Sequence, residues 1–178
     1  MGHVGYFNVK AFIKAGLNLP LISVYNFNLA MLTIAIGSDH AGYHLKEKIK
    51  EYLISKGYQI LDFGTQSTES TDYPLFAREV CLAIQRGEAQ RGILICGTGI
   101  GMSITANKFK GIRASLCFNE YMARMSRKHN DSNVLCLGSR VLGEDLAIAI
   151  VDVWLSTDFE GGRHEKRVRL IRNIEDMV

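Results

Sequence analysis

The chain has 178 residues, of which 47% are hydrophobic and 22% are charged, and its formal net charge is +3. This length allows one domain with a full hydrophobic core and is short for two. The positive charge is small and dispersed, so it does not favour nucleic-acid binding. It is compatible with a small anionic ligand. Four cysteines without a CxxC pair or a secretory leader predict reduced thiols in a cytoplasmic protein.

Residues 1–30 differ in composition from the rest of the chain. They contain two lysines and no acidic residue, and asparagines and Pro20 interrupt their apolar positions. Neither a membrane span nor a signal core is therefore predicted. We expect an N-terminal extension outside the fold over 1–30 and one domain over 31–178. The alternative is an organelle-targeting peptide. The lack of arginine in this segment argues against it.

Five apolar strand patterns alternate with helical patterns along the predicted domain. The strands are predicted at 32–37, 58–63, 91–96, 112–117 and 134–137. Helical spacing predicts helices at about 45–53, 74–84, 100–109, 119–128 and 142–154, and a charged helix at about 160–177. Short alternating connections indicate right-handed crossovers, which predict a three-layer α/β/α sandwich around a five-stranded parallel, Rossmann-like sheet. The charged terminal helix is expected to pack on a second subunit, forming a homodimer.

The stretch 92–102 has the clearest chemical character. Its apolar residues predict a buried strand that ends at Cys96. Three glycines within the next five residues predict a tight turn into a helix. Ligands of open α/β sheets bind at the carboxyl ends of strands, and amides at a helix N-terminus favour anions and thiolates. Cys96 and this turn are therefore predicted to form a reaction centre, whereas Cys81, Cys117 and Cys136 are interpreted as packing residues. The spacing matches neither a G-x-G-x-x-G motif nor a P-loop.

Asp39 and His40 follow the first strand and would lie next to Cys96 if strands one and three are neighbours. A carboxylate and an imidazole in that position could move protons between oxygens. The alternative for Asp39 is a cap on the next helix. A metal site on His40 and His44 is not expected, because no HExxH motif is present.

Further polar residues lie in the second half of the chain. Arg163 and Arg167 are one helical turn apart and could grip a phosphate, the alternative being a solvated helix face. His129 and Asn130 are predicted to lie in a polar loop, and Arg140 follows a strand.

Eight motifs, in order along residues 31–178, closely resemble ribose-5-phosphate isomerase type B, a ribose/galactose isomerase family that also includes galactose-6-phosphate and allose-6-phosphate isomerases. The resemblance does not extend to residues 1–30. The motifs are Asp39-His40-Ala41-Gly42, Thr71-Asp72-Tyr73-Pro74, Cys96-Gly97-Thr98-Gly99-Ile100-Gly101, Asn107-Lys108, Gly111-Ile112-Arg113-Ala114, His129-Asn130-Asp131, Gly138-Ser139-Arg140 and Glu160-Gly161-Gly162-Arg163-His164.

The resemblance implies interconversion of ribose 5-phosphate and ribulose 5-phosphate through a cis-enediolate, in the non-oxidative pentose phosphate pathway, with no metal or cofactor. It makes Cys96 the base between C2 and C1, His129 the acid that protonates the ring oxygen, and Asp39 an assistant at the anomeric hydroxyl. Some family members use a later glutamate as the base, and here that position has no acid. The turn that holds the enediolate oxygen comprises Gly97, Thr98, Gly99, Ile100 and Gly101. The substrate and phosphate contacts, some from across a dimer interface, are His40, Asn130, Arg140, Arg163 and Arg167, with Tyr73 and His164 as weaker correspondences.

Two alternatives remain at this point. One is the same chemistry on a six-carbon sugar phosphate, since the depth of the pocket decides substrate length. The other is a nucleotide-binding or thiol-sensing module on a similar sheet. A dimer, or a tetramer of paired dimers, is expected, with no membrane or nucleic-acid partner.

Overall fold

The computed structural model describes residues 32–177, so the predicted extension over 1–30 lies outside the described residues. Five parallel strands form one sheet: β1 (Thr33–Ser38), β2 (Gln59–Asp62), β3 (Arg91–Cys96), β4 (Ala114–Leu116) and β5 (Val134–Gly138). Their order across the sheet is β2-β1-β3-β5-β4. All five predicted strands are confirmed, and β1 and β3 are neighbours.

Within residues 32–177 the helices are α1 (Tyr43–Ser55), α2 (Tyr73–Gln85), α3 (Ile100–Ala106), α4 (Glu120–Asn130), α5 (Glu144–Ser156) and α6 (Arg163–Ile174). The first five cover the two faces of the sheet, and α6 packs against α4. Buried side chains of α1, α4 and α5 share one core with one face of the sheet, and those of α2 and α3 share a second core with the other face. The predicted three-layer α/β/α architecture is therefore confirmed. Between residues 32 and 177, no helix is long and apolar enough to cross a lipid bilayer.

The central strand β3 explains why the apolar runs form strands here. Ile93 and Ile95 enter the core beneath α1 and α5, whereas Leu94 enters the core beneath α2, and all three are fully buried. Successive side chains of a strand point to opposite faces, so a strand covered on both sides requires an uninterrupted apolar run.

The edge strand β4 is shorter than predicted. The side chains of Asn107 and Asn133 accept hydrogen bonds from the amides of Ala114 and Arg113, at 2.9 and 2.8 Å. These amides are therefore bound by side-chain carbonyls, and the ladder at this edge is confined to three residues.

The end of α4 corrects one prediction. His129 and Asn130 are the last residues of this helix and do not lie in a loop. The predicted cap at the other end is confirmed, because the Asn119 side chain accepts from the Met122 amide at 2.9 Å. The helix extends further than predicted because Asp131, with φ of 47°, closes it, and its amide donates to the carbonyl of Arg127 at 3.1 Å.

A buried ion network joins α1 to the end of β2. Lys46 is fully buried, and its Nζ lies 2.8 Å from Asp62 Oδ2 and 2.7 Å from Glu47 Oε1. The amide of Gly64 donates to Asp62 Oδ1 at 2.9 Å, so the carboxylate also holds the turn that leads toward α2. Burial by itself raises the pKa of Asp62, but hydrogen bonds from Lys46, Lys50 and the Gly64 amide outweigh it and lower that pKa.

Asp62→Asn is expected to lower the free energy of unfolding at pH 7 by about 2 kcal/mol, because Lys46 then loses a buried counter-charge. A carboxyl whose pKa is lowered by folding stabilises the native state fully above its unfolded pKa of about 4, and this contribution is lost as the pH falls through the folded pKa. Urea unfolding at pH 7 and pH 3 should therefore show the wild-type advantage shrinking in acid. The control is Glu51→Gln, which alters a carboxylate 70% exposed and should change stability by less than about 0.5 kcal/mol. An advantage that is the same at both pH values would contradict the charge-based explanation.

Candidate active site

The carboxyl ends of three adjacent strands bring the predicted residues into one cleft. The strand register pairs Ser38 with Ile95 and Cys96 with Gly138, so the segments after β1, β3 and β5 meet at one edge of the sheet. A cleft of about 470 Å³ opens there. We call it the cysteine cleft, and the predicted residues that line it are Asp39, His40, Tyr73, Cys96, Gly97, Thr98, Ile100, Gly101 and Arg140.

Cys96 lines this cleft at the border of the core beneath α2 and α3, and its sulfur is bound by the turn that follows it. Cys96 is only 5% exposed, and its Sγ accepts a hydrogen bond from the Gly99 amide at 3.1 Å. Such a bond is stronger when the sulfur is a thiolate. Within residues 32–177, the amides of Thr98 and Gly101 donate to no protein acceptor, and both residues line the cleft. The turn therefore offers backbone donors close to the Cys96 sulfur.

The other three cysteines lie in the cores, as predicted. Burial raises the pKa of Cys81 to about 12 and that of Cys117 to about 11. Burial also raises the pKa of Cys136 well above its ordinary value. All three remain neutral thiols at physiological pH, which confirms their interpretation as packing residues.

Asp39 lies between β1 and α1, where Gly42 and not Asp39 is the N-cap residue of the helix. Its Oδ1 accepts from the amide of Gly42 at 3.0 Å, directly before α1 begins, and the residue also lines the cysteine cleft. The carboxylate is thus fixed at the start of the helix while remaining part of the cleft wall.

His40 is oriented by a residue to which the sequence assigned no role. The amide of Thr71 donates to His40 Nδ1 at 3.1 Å, and the amide of His40 donates to Thr71 Oγ1 at 3.3 Å. Because Nδ1 is the acceptor, neutral His40 has its proton on Nε2. The only sequence signal for Thr71 was its place in the Thr71-Asp72-Tyr73-Pro74 motif.

Two glycines let larger side chains approach the cleft from its rim. A Cβ at Gly97 would lie 3.3 Å from Cδ and 3.6 Å from Cζ of Arg140, so the arginine lies over this turn. A Cβ at Gly101 would lie 2.6 Å from Cζ of the Tyr73 ring. The cleft therefore has a guanidinium group and a phenol at its rim. Ile104, one helical turn after Ile100, also lines it and was not predicted.

The remaining predicted residues form a second group, which we call the histidine–arginine group. The imidazoles of His129 and His164 stack with their centroids 4.1 Å apart and their planes within 4° of parallel. Arg163 Nε lies 3.3 Å from His164 Nε2, and Arg167 Nη1 lies 3.3 Å from His164 Nδ1. Asn130 follows His129 at the end of α4 and completes the group.

Within one chain, the histidine–arginine group lies far from the cysteine cleft. Cys96 pairs with Gly138 at the carboxyl end of β5, whereas Asn130 precedes Val134, the first residue of that strand. A strand rises roughly 3.3 Å per residue, so these ends of β5 are about 13 Å apart. Cys96, the predicted base, and Arg163 and Arg167, the predicted phosphate ligands, therefore lie at opposite ends of the sheet of one chain.

A family model described as Ribose/Galactose Isomerase matches residues 34–171. This chain belongs to the ribose/galactose isomerase family. It is 54% identical over 145 residues to Ribose-5-phosphate isomerase B of Escherichia coli (strain K12), covering 82% of this chain and 97% of that protein. It is 47% identical over 142 residues to D-erythrulose-4-phosphate isomerase of Pectobacterium atrosepticum, covering 79% of this chain and 93% of that protein.

A solved member of the ribose/galactose isomerase family has the same fold. The structure of Clostridium thermocellum Ribose-5-Phosphate Isomerase B superposes with a TM-score of 0.81 at 57% sequence identity. The match covers 82% of this chain and 99% of that one. The family resemblance drawn from the eight motifs is therefore confirmed.

Gly99→Ala is expected to disrupt both the turn and the cleft. Gly99 has φ of +76°, and a Cβ there would lie 2.5 Å from Leu116 Cδ1 and 2.9 Å from the carbonyl carbon of Leu137. The variant should lose about 3 kcal/mol of unfolding free energy from backbone strain and steric overlap together, measured by urea denaturation. Gly111→Ala is the matched control: its φ is +78°, but nothing lies within 4 Å of its Cβ position, so only about 1 kcal/mol should be lost. Equal losses would show that contact with β4 and β5 does not determine the residue at position 99.

Proposed function

We propose that this chain interconverts ribose 5-phosphate and ribulose 5-phosphate through a cis-enediolate. The observation that supports this most directly is that Cys96 lines the cleft and that its sulfur lies beside backbone amide donors, at the carboxyl edge of a parallel sheet. Membership of the ribose/galactose isomerase family supports the reaction class. The name of the Escherichia coli relative, matched over nearly its whole length, supports the five-carbon substrate.

The proposed reaction moves protons and requires no external oxidant or reductant. The Cys96 thiolate takes the proton from C2 of the open-chain aldose. The electron pair of the broken C2–H bond forms the C1–C2 double bond, and the π electron pair of the carbonyl moves onto the C1 oxygen. The C2 hydroxyl proton then passes to the C1 oxygen, the thiol returns its proton to C1, and the C2 carbonyl forms. A preorganised donor at such a developing oxyanion contributes about 3 kcal/mol of transition-state stabilisation. The amides of Thr98 and Gly101 are suited to that task.

Other cleft residues are assigned by their donors and acceptors. His40, with its proton on Nε2, and the Arg140 guanidinium are donors for substrate oxygens. Asp39 accepts from the anomeric hydroxyl during ring opening, while His129 protonates the ring oxygen. Arg163 and Arg167 bind the phosphate, which does not react, so their contact fixes C1 and C2 against the sulfur.

This assignment requires two copies of the chain. Within one chain the histidine–arginine group lies at the far end of the sheet from Cys96, so a second copy must supply His129, Asn130, Arg163 and Arg167. Apolar side chains are exposed where such a copy would pack: Ile100 and Ile104 beside the cleft are 51% and 58% exposed. Patches of this kind mark interaction surfaces. We therefore propose a homodimer as the active unit, leaving open its further pairing into a tetramer.

The cytoplasm is the proposed compartment. Four buried, unpaired thiols are typical of a protein kept in reducing surroundings.

The substrate is tested by measuring kcat/KM on ribose 5-phosphate, allose 6-phosphate, galactose 6-phosphate and D-erythrulose 4-phosphate in parallel. Ribose 5-phosphate should be preferred by at least about tenfold. Cys96→Ala should abolish exchange of the C2 proton with solvent while retaining phosphate binding, and Cys81→Ala, which changes a core thiol, should remain active. Preference for a six-carbon or four-carbon sugar would change the substrate assignment. Absence of any isomerisation would favour the nucleotide-binding or thiol-sensing module.

The shared active site is tested by mixing two inactive variants. Dimers that combine Cys96→Ala with His129→Asn contain one cleft in which both residues are intact. Statistical exchange of subunits should restore about a quarter of wild-type activity. Mixing Cys96→Ala with Asp39→Asn is the matched control and should restore none, because both changes affect the cleft of their own chain. Equal recovery in the two mixtures, or none in either, would contradict the assignment of His129 to the second copy. Sedimentation of the wild type measures whether dimers pair further.

A further inference from the structure

His164 occupies an unusual position for a predicted substrate contact. It lies in the first turn of α6, and its side chain is only 3% exposed. Its amide donates to the carbonyl of Gly161 at 3.0 Å, in the turn that starts the helix. The contacts of the ring itself are with His129, Arg163 and Arg167.

One face of the His164 ring supports His129. The planes of the two rings are nearly parallel, and the rings stack with their centroids 4.1 Å apart. This contact restricts rotation of the His129 imidazole, which has to point its acidic nitrogen at the ring oxygen of a bound sugar.

Both ring nitrogens of His164 face guanidinium groups, at 3.3 Å from Arg163 and 3.3 Å from Arg167. Guanidinium groups only donate hydrogen bonds, and a neutral imidazole has one acceptor nitrogen, whereas a protonated imidazole has none. His164 must therefore be neutral to bond either arginine.

The charges around His164 favour the neutral form. Burial lowers its pKa, and the positive charges of His129, Arg163 and Arg167 lower it further. Glu160, whose Oε1 lies 4.0 Å from Nε2, acts in the opposite direction and does not outweigh them. The ring thus remains an acceptor at neutral pH when His129 is protonated.

We propose that His164 is a positioning residue, a neutral imidazole whose acceptor nitrogen Nε2 orients Arg163, a proposed phosphate ligand, and whose face orients His129, the proposed ring-opening acid. The inference rests on the proposed function, because it assigns His164 to the same site. It differs from the predicted direct contact of His164 with substrate, and the two make different predictions.

Two substitutions separate the edge of the ring from its face. His164→Phe keeps an aromatic face for His129 and removes the acceptor, so KM for ribose 5-phosphate should rise about tenfold while kcat changes less than about threefold. His164→Gln keeps an acceptor near the position of Nε2 and removes the ring, so kcat should fall about tenfold while KM changes less than about threefold. A merely structural role would lower both parameters in both variants, in step with the melting temperature. A direct substrate contact would raise KM in both.

Binding of inorganic phosphate, measured calorimetrically, gives a readout that does not depend on turnover. His164→Phe should weaken it about tenfold, and His164→Gln less than about threefold. A wild-type protein without isomerase activity would refute the proposed function, while the phosphate measurement would still test the role of His164. Equal affinities in wild type and His164→Phe would overturn the inference.

The wild-type protein provides a test that does not depend on the folding of any variant. Long-range ¹H–¹⁵N spectra at pH 7 should show His164 as a neutral imidazole in contact with His129. A protonated His164 at that pH would overturn the proposal.

Discussion

The hydrogen bond from the Gly99 amide to the Cys96 sulfur depends on how closely β4 and β5 approach the glycine-rich turn that follows β3. A Cβ at Gly99 would overlap Leu116 and Leu137, and a Cβ at Gly138 would lie 2.8 Å from the carbonyl of Thr98. The turn is therefore pressed against the ends of the neighbouring strands, and only glycine fits at these contacts. This packing fixes amide donors beside the Cys96 sulfur in advance, which is the condition that electrostatic stabilisation of the proposed enediolate requires.

The histidines of the site are prepared in a related way. Thr71 donates its amide to Nδ1 of His40, and Arg163 donates to Nε2 of His164. Their hydrogen-bonding roles are set by neighbours that do not themselves react. Proton transfer at a sugar requires that each acid and base has a defined direction, and buried partners supply that direction at little entropic cost during turnover.

The sheet places Cys96 at one end of the chain's fold and Arg163 and Arg167 at the other, although the proposed reaction needs all three at one sugar phosphate. A helix antiparallel to its strands ends at the amino edge of the sheet, so residues at the end of α4 cannot reach Cys96 of the same chain. A dimer that brings the amino edge of one copy to the carboxyl edge of another would solve this constraint. Activity would then depend on assembly, and the exposed Ile100 and Ile104 beside the cleft would acquire a packing partner.

The sequence by itself determined the layered fold and the location of the cysteine cleft. Buried strands need continuous apolar runs, and Asp39 and Cys96 end two such runs, so their meeting followed from strands one and three being neighbours. The motifs also determined the family. Tertiary structure alone decided the extent of α4, the enclosure of His164, the role of Thr71 and the separation of His129 from Cys96. These features depend on contacts between residues far apart in the chain, such as Thr71 with His40, and local periodicity contains no information about such contacts.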